Sequence, residues 1–222
     1  MKRVLTVIAS VCIAGGAMAA AAPAVNMGSW YLNGNVGASF PTKMKAYTKN
    51  DANWIKGSYN TGYNLNLEGG YQFGNNISLE AQVGYIRNTI SKFNKASNGT
   101  NLGSTGNTAA MVYMVNSLYH FYNASSFAPY IGLGLGAVSV SPNWKPKNST
   151  ITRLSGTDTL FAYQALAGIS YVINNHWAVD LGYRFLGSNQ GSYNMRVSTV
   201  KSTAKGYYRT SLVNLGATYY FS

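Results

Sequence analysis

The chain has 222 residues, of which 10% are charged, and 17 Lys and Arg against 5 Asp and Glu give a formal net charge of +12. A soluble domain of this size carries about a quarter charged residues, so the shortage needs an explanation. Beyond the N-terminus no stretch approaches the roughly 20 consecutive apolar residues of a helical span, which excludes helical insertion. A strand-built span needs only about 9 to 11 residues and stays open.

Residues 1–19, MKRVLTVIASVCIAGGAMA, start with Lys2 and Arg3, run apolar from Val4 to about Ala14, and end on Ala17 and Ala19. This pattern predicts a secretory signal peptide with an A-x-A cleavage site, leaving 20–222 as one domain. The apolar run is too short and too interrupted by small residues for a membrane anchor. Cys12, the one cysteine, falls inside this leader behind the bulky Val11, which disfavours a lipoprotein cysteine. The exported chain is therefore expected to carry neither disulfide nor thiol chemistry. Without Lys2 and Arg3 its net charge falls from +12 to +10.

Eight segments of alternating character follow: Trp30 to Phe40, Thr61 to Phe73, Ile77 to Asn88, Asn107 to Phe121, Pro129 to Val140, Leu160 to Ile173, Trp177 to Leu186, and Tyr207 to Phe221. The third sets Ile77, Leu79, Ala81, Val83 and Tyr85 against Ser78, Glu80, Gln82 and Gly84. The seventh repeats this with Trp177, Val179, Leu181, Tyr183 and Phe185 against Asp180, Gly182 and Arg184. A period of two over such windows predicts strands. Short turns at Gly74 to Asn76, Tyr122 to Ser126 and Asn174 to His176 alternate with long polar segments at Pro41 to Asn60, Ile90 to Thr105, Ser141 to Thr157 and Ser188 to Ala204, which read as loops. Phe73 and Ile77 share a face if Gly74 to Asn76 forms a tight connection, where Gly and Asn tolerate positive φ. Glu68 then lies opposite Gln82, and Gly70 opposite Glu80.

Alternation alone does not say which face meets water. A soluble barrel buries its apolar face, and a membrane barrel turns it outward. The polar face here is mostly Asn, Gln, Ser, Thr and Gly, with Gly132, Gly134 and Gly136 on the fifth segment, as suits a confined lumen rather than a soluble surface. Aromatics on the apolar face sort by depth. Trp30, Tyr71, Phe73, Tyr119, Phe121, Tyr171, Trp177, Tyr219 and Phe221 fall near the short turns; Phe40, Tyr63, Tyr85, Phe161, Tyr163, Phe185 and Tyr207 fall near the long segments. Two aromatic bands around a Leu, Val, Ile and Ala stripe match interfacial girdles. A soluble ligand-binding barrel is the alternative fold.

The C-terminal NLGATYYF, with Asn214, Gly216, Tyr219 and Phe221, resembles the assembly signal of bacterial outer-membrane barrels. APYIGLGLGAV, FAYQALAGISYVI and VDLGYRFLGS resemble the small eight-stranded barrels of the opacity-protein, outer-membrane-protein-A-like and bacterial surface-antigen families. The likeness covers essentially the whole chain after the leader. It implies an all-β fold: an eight-stranded antiparallel transmembrane β-barrel, an up-and-down meander with short periplasmic turns and long extracellular loops. It also implies recognition by the barrel-assembly machinery, and a surface antigen or adhesin-like role with a contribution to envelope integrity.

Most of the positive charge lies in the long segments, so a basic extracellular rim is expected. Such a rim suits lipopolysaccharide phosphates, anionic glycans of a host surface, or anionic solutes; a solvated surface without a partner is the plain alternative. Nucleic acid is a poor partner for an exported membrane protein. By parity Arg87 and Arg209 face outward above the apolar band, where a long side chain snorkels toward lipid phosphates. Glu68, Glu80, Asp180 and Arg184 are expected to form a lumen network, with a carboxylate paired to Arg184 because isolated charges there are costly. An eight-stranded barrel is just wide enough to be filled by side chains, so a small-solute porin is the second reading. A lipid A-modifying enzyme needs a base near the outer leaflet. The two histidines, His120 and His176, map to the opposite end, as lumen hydrogen-bonder and turn residue, and no His/Asp/Glu cluster suggests a metal. The expectation is a monomer without catalytic residues, cofactor or metal. Trp54 and Trp144 stand among lysines in the long segments, as binding anchors or loop-packing residues.

Overall fold

A computed structural model describes residues 28–42, 44–48, 51–95, 104–123, 125–146, 151–197 and 200–221. The leader 1–19, Lys43, Lys49, Lys147 and Ser222 lie outside the described residues. Among the described residues eleven strands appear in chain order: β1 Ser29–Pro41, β2 Met44–Thr48, β3 Asp51–Tyr59, β4 Gly62–Gln72, β5 Ile77–Lys95, β6 Ser104–His120, β7 Phe127–Pro146, β8 Ile151–Ser155, β9 Asp158–Val172, β10 Trp177–Val197 and β11 Val200–Tyr220. Eight of them close a ring. β1 pairs with β4, the meander continues through β5, β6, β7, β9 and β10 to β11, and β11 pairs back onto β1 from Tyr31↔Tyr220 to Pro41↔Thr210. All pairings are antiparallel, so the ring leaves no open edge.

The register follows the parity of the sequence. Glu68 faces Gln82 and Gly70 faces Glu80. At the first short turn Phe73 N–H donates to Ile77 O at 2.8 Å, and Asn76 takes the positive φ of 65°. At the third, Asn174 Oδ1 accepts from the amides of His176 and Trp177, both at 2.9 Å. Exposure alternates residue by residue along β4 from Tyr63 to Gly70 and along β9 from Thr159 to Leu166.

The exposed set is the apolar one. Leu133 is 71% exposed, Leu215 63% and Val36 53%, while Asn64, Ser39 and Thr210 are fully covered. An apolar belt of this extent on every side has no counterpart on a soluble monomer, so the ring is inside-out and its outer solvent is lipid. The aromatics of both bands lie on this outer face. Those at the short-turn end interlock edge to face: Trp30 with Tyr71 at 5.1 Å, Tyr71 with Phe73 at 5.0 Å, and Trp177 with Tyr219 at 4.9 Å.

The long polar segments correct one expectation. They are largely strand rather than loop: β5 runs on to Lys95, β7 to Pro146 and β10 to Val197, and β11 begins at Val200. Where β1 and β4 stop, β2 and β3 take their place, β3 pairing with β5 and β2 with β3 and β11. Above the start of β9, β8 bridges β7 and β10. The wall thus continues as a second storey beyond the aromatic band. Among the described residues the β5–β6 pairing ends at Thr89↔Asn107. Polarity reports the solvent of these residues, water instead of lipid, and a strand in water is as well hydrogen-bonded as one in a bilayer.

Candidate functional site

The lumen is organised in three levels. At the short-turn end it is stoppered by aromatics. Tyr31 and Tyr220 meet at 5.7 Å across the β1–β11 seam, and Ala178 of β10 belongs to the same buried cluster. His120 stacks on Tyr122 at 5.5 Å, contacts Tyr130 at 5.7 Å, and its Nε2 shares a 3.0 Å hydrogen bond with Ser78 Oγ. Two of these rings lie over glycines: Tyr31 over Gly70, and Tyr130 over Gly168 and Gly182, where a Cβ would collide with them. Tyr220, sent inward by parity, is part of this stopper and only 6% exposed.

The middle level is a belt of amides and charges. Arg184 Nη1 lies 2.6 Å from Glu68 Oε1, both side chains buried. Glu80 accepts from Tyr31 Oη and from Asn116 Nδ2, each at 2.9 Å. Asp180 accepts from Asn33 Nδ2 at 2.9 Å, Thr218 Oγ1 at 2.6 Å and Ser170 Oγ at 2.5 Å. Between the carboxylates runs an amide relay. Asn116 also donates to Gln82 Oε1 at 3.1 Å, Gln82 to Asn66 Oδ1 at 3.0 Å, Asn66 to Asn35 Oδ1 at 2.7 Å, and Asn35 to Asn33 Oδ1 at 2.9 Å. Gln164 reaches across to Gln82 at 2.7 Å and Asn116 at 2.5 Å.

Side chains of β1, β4, β5, β6, β9, β10 and β11 share this belt. β7 supplies room instead: a Cβ on Gly134 would strike Asn116 Oδ1 and Gln164, one on Gly136 Met114, and one on Gly132 Leu118. Each strand thereby contributes either a donor or the space for one, which satisfies polar groups that lipid outside cannot.

The upper level was not legible in the polar face. Ile86, Val112, Val138, Leu160, Leu186 and Leu212 point inward and are no more than 5% exposed. They cap the amide belt with an apolar layer. The lumen cavity is about 40 Å³ for water centres and is lined by residues of the lower two levels, among them Tyr31, Glu80, Asp180, Arg184 and Tyr220. At roughly 10–15 Å³ per water it has room for roughly three.

The expected network residues Glu68, Glu80, Asp180 and Arg184 are thus brought together, and Glu68 is the carboxylate beside Arg184. Arg87 and Arg209 are exposed and belong to separate parts of the outer wall, Arg87 between Tyr63 and Ala109, Arg209 with its guanidinium 5.4 Å from the Tyr207 ring. Asn214 and Gly216 line the lumen. Tyr219 and Phe221 pack on each other outside at 5.1 Å, and Phe221 N–H donates to Trp30 O. His120 and His176 both sit at the short-turn end, His176 with its ring 6.0 Å from Tyr219. The amides Asn33, Asn35, Asn66, Asn116 and Gln164 are lumen residues that the charge pattern does not single out, although their period of two carries the signal.

An uncharacterized protein of Brucella abortus is 27% identical over 203 residues, covering 77% of this chain and 72% of that protein. A putative adhesin of Rickettsia conorii is 26% identical over 164 residues, covering 69% of this chain and 66% of that one. Among solved structures, the outer membrane protein OprG of Pseudomonas aeruginosa superposes with a TM-score of 0.64 at 14% identity, over 89% of this chain and 97% of that one, a likeness of fold. The family described as outer membrane protein beta-barrel domain matches residues 8–221. With its closed inside-out ring and filled lumen, the chain belongs to that family and is an outer-membrane β-barrel protein.

Proposed function

We propose that this barrel is a surface attachment protein, adhesin-like, whose basic outer storey engages anionic surfaces beyond the cell. The carrying observation is the segregation of charge. Of the five carboxylates, Glu68, Glu80 and Asp180 are in the lumen, which leaves Asp51 and Asp158. Of the 17 Lys and Arg, Lys2 and Arg3 fall in the leader and Arg184 in the lumen, so fourteen cations belong to the wall and its connections. A field this one-sided raises the local concentration of anionic partners and speeds their encounter. The name of the Rickettsia conorii relative is in keeping with this role.

Envelope support is compatible with the same surface. A monomer exported through the leader 1–19 and assembled by recognition of Asn214, Gly216, Tyr219 and Phe221 completes the proposal. A small-solute porin is the weaker reading, because the lumen cavity accommodates a few waters and is bounded above and below by packed side chains. Lipid A chemistry has no support, because both histidines lie at the end away from the outer leaflet.

The test is adherence of bacteria expressing the protein to host cells or matrix. Because Ser141 to Thr157 contains strand, charge replacement is cleaner than deletion. Replacing Lys92, Lys95, Lys145 and Lys147 by Gln should reduce attachment several-fold; unchanged attachment with normal surface levels ends the proposal.

A further inference from the structure

Parity sends Asp180 and Gly182 of β10, and Asn214 and Gly216 of β11, into the lumen, where all four line the cavity. In the β10–β11 register Asp180 pairs with Gly216 and Gly182 with Asn214. The four positions are thus the corners of a small rectangle on the inner wall, with the polar residues on one diagonal and the glycines on the other. Diagonal positions of a strand pair lie about 7–8 Å apart. The absent Cβ atoms keep the space between carboxylate and amide clear of other side chains from β10 and β11. The Tyr130 hydroxyl reaches the Gly182 corner, where a Cβ would come within 2.7 Å of it.

Two of these groups are incomplete without a further partner. Asn214 is only 4% exposed, yet neither its Oδ1 nor its Nδ2 has a hydrogen-bond partner in the protein. Buried amides are rarely left so. Asp180 accepts from Asn33 and Thr218 on Oδ2 and from Ser170 on Oδ1. Receiving only donors is the pattern of an ionised carboxylate, and Oδ1 keeps acceptor capacity. The cavity lining also carries a charge imbalance. Glu68, Glu80 and Asp180 stand against Arg184, which with His120 neutral leaves a formal charge of −2, and Arg184 is committed to Glu68. Uncompensated charge in a lumen surrounded by lipid is costly.

We infer that the space between Asp180 and Asn214 is a binding site for a sodium ion, held by Asp180 Oδ1, the Asn214 amide oxygen and cavity water. A sodium ion is about the size of calcium, so oxygens on either side of it stand roughly 5 Å apart. Two side chains reaching in from diagonal corners leave a gap of that order. Asn214 Oδ1 lies toward Gly37 of β1, its partner on the other side. Because neither amide atom holds a bond, rotation about the soft terminal torsion presents the oxygen to the cavity without breaking one. The cavity, about 40 Å³ for water centres, has room for the ion and a water or two. Among the described residues no three His, Cys, Asp or Glu gather closely enough to hold a metal ion between them. A divalent ion therefore lacks its usual carboxylate set, and a singly charged ion on one carboxylate and neutral oxygens fits the donors present.

The test uses the full chain folded in an uncharged detergent, with sodium chloride exchanged for choline chloride at constant ionic strength and pH. The unfolding equilibrium constant in urea should fall close to tenfold for each tenfold rise in sodium above its dissociation constant. The sodium NMR line should broaden with the folded chain and sharpen on unfolding. Asn214→Leu and Asp180→Asn should each abolish the sodium dependence. Asn214→Leu should do so while retaining stability in choline, which loss of a merely structural asparagine would not. Asp158→Asn removes the same charge outside the lumen and should leave the dependence intact.

Heat-modifiable migration verifies folding of each variant, and the sodium NMR line of the parent decides the question if Asp180→Asn does not fold. Stability indifferent to the exchange of sodium for choline would overturn the site, as would a dependence that survives Asn214→Leu or an equal effect of micromolar calcium. So would pH dependence without sodium dependence, which would mean that protons neutralise the carboxylates. No surface ligand enters the measurement, so failure of the attachment reading leaves this result interpretable.

Discussion

The Arg184–Glu68 pair makes a sharp prediction because its two halves are not equivalent. At 2.6 Å the gross attraction is about 6 kcal/mol at an effective dielectric of about 20. Desolvation of both ions offsets most of it, so the pair itself contributes little net stability. Removal of one partner is another matter. Arg184→Met leaves Glu68, Glu80 and Asp180 together in the lumen, three formal negative charges where there had been a net two, and Glu68 loses its counter-ion without regaining water. The cost expected for such an orphaned charge is about 3–5 kcal/mol. Glu68→Gln keeps a polar group at Arg184, lowers the net lumen charge to one, and leaves Arg184 in a site that Glu80 and Asp180 also line. Its cost should be about 1–2 kcal/mol, near that of a hydrogen bond to a charged group. Urea unfolding in lipid vesicles, followed by tryptophan fluorescence and by heat-modifiable migration, measures both. If Arg184→Met is no more destabilising than Glu68→Gln, the charge bookkeeping of the lumen is wrong.

Three further outcomes follow from the packing. Gly134→Ala pushes a methyl into Asn116 Oδ1 and Gln164, and should cost about 1–3 kcal/mol by the same unfolding measurement; a neutral effect would mean the amide belt has slack. In planar bilayers the parent should give no stable, sizeable conductance steps, and steady steps would sink the packed-lumen reading. Phe221→Ala should lower outer-membrane yield in cells while leaving refolding into detergent nearly unchanged. Parallel losses in both would assign Phe221 to barrel stability instead of to recognition.

The ring itself was legible in the sequence because the side-chain period of a strand is two and lipid and lumen differ so much in polarity. Glu68 opposite Gln82 and the tight turn at Asn76 follow from counting residues, and closure of the last strand on the first is what the family resemblance implies. Two features were not. The apolar cap of Ile86, Leu186 and Leu212 lies where inward and outward faces are both apolar, so alternation fades and parity alone assigns the face. The second storey has the composition of loop because Lys, Ser, Thr and Asn are common in loops, whereas a strand in water needs only backbone partners. β2, β3 and β8 pair across distant segments, a relation that no local pattern encodes.

The lumen and the outer storey are coupled through composition. Lipid outside the lower storey forbids charge there, so polar groups of that storey must be satisfied inward. That requirement draws Glu68, Glu80 and Asp180 to the interior, three of the five carboxylates in the chain. That leaves two carboxylates, Asp51 and Asp158, beside the fourteen cations of the wall and its connections, so the net charge there is strongly positive. Adding carboxylates tests the effect of that charge directly. Thr203→Glu, between Lys201 and Lys205 on β11, should raise stability at low salt by about 0.2–1 kcal/mol by lowering that net positive charge. The stabilisation should fade toward 1 M salt, where screening shortens to about 3 Å. A destabilised variant at low salt would show that the cations of β11 are already neutralised within the protein.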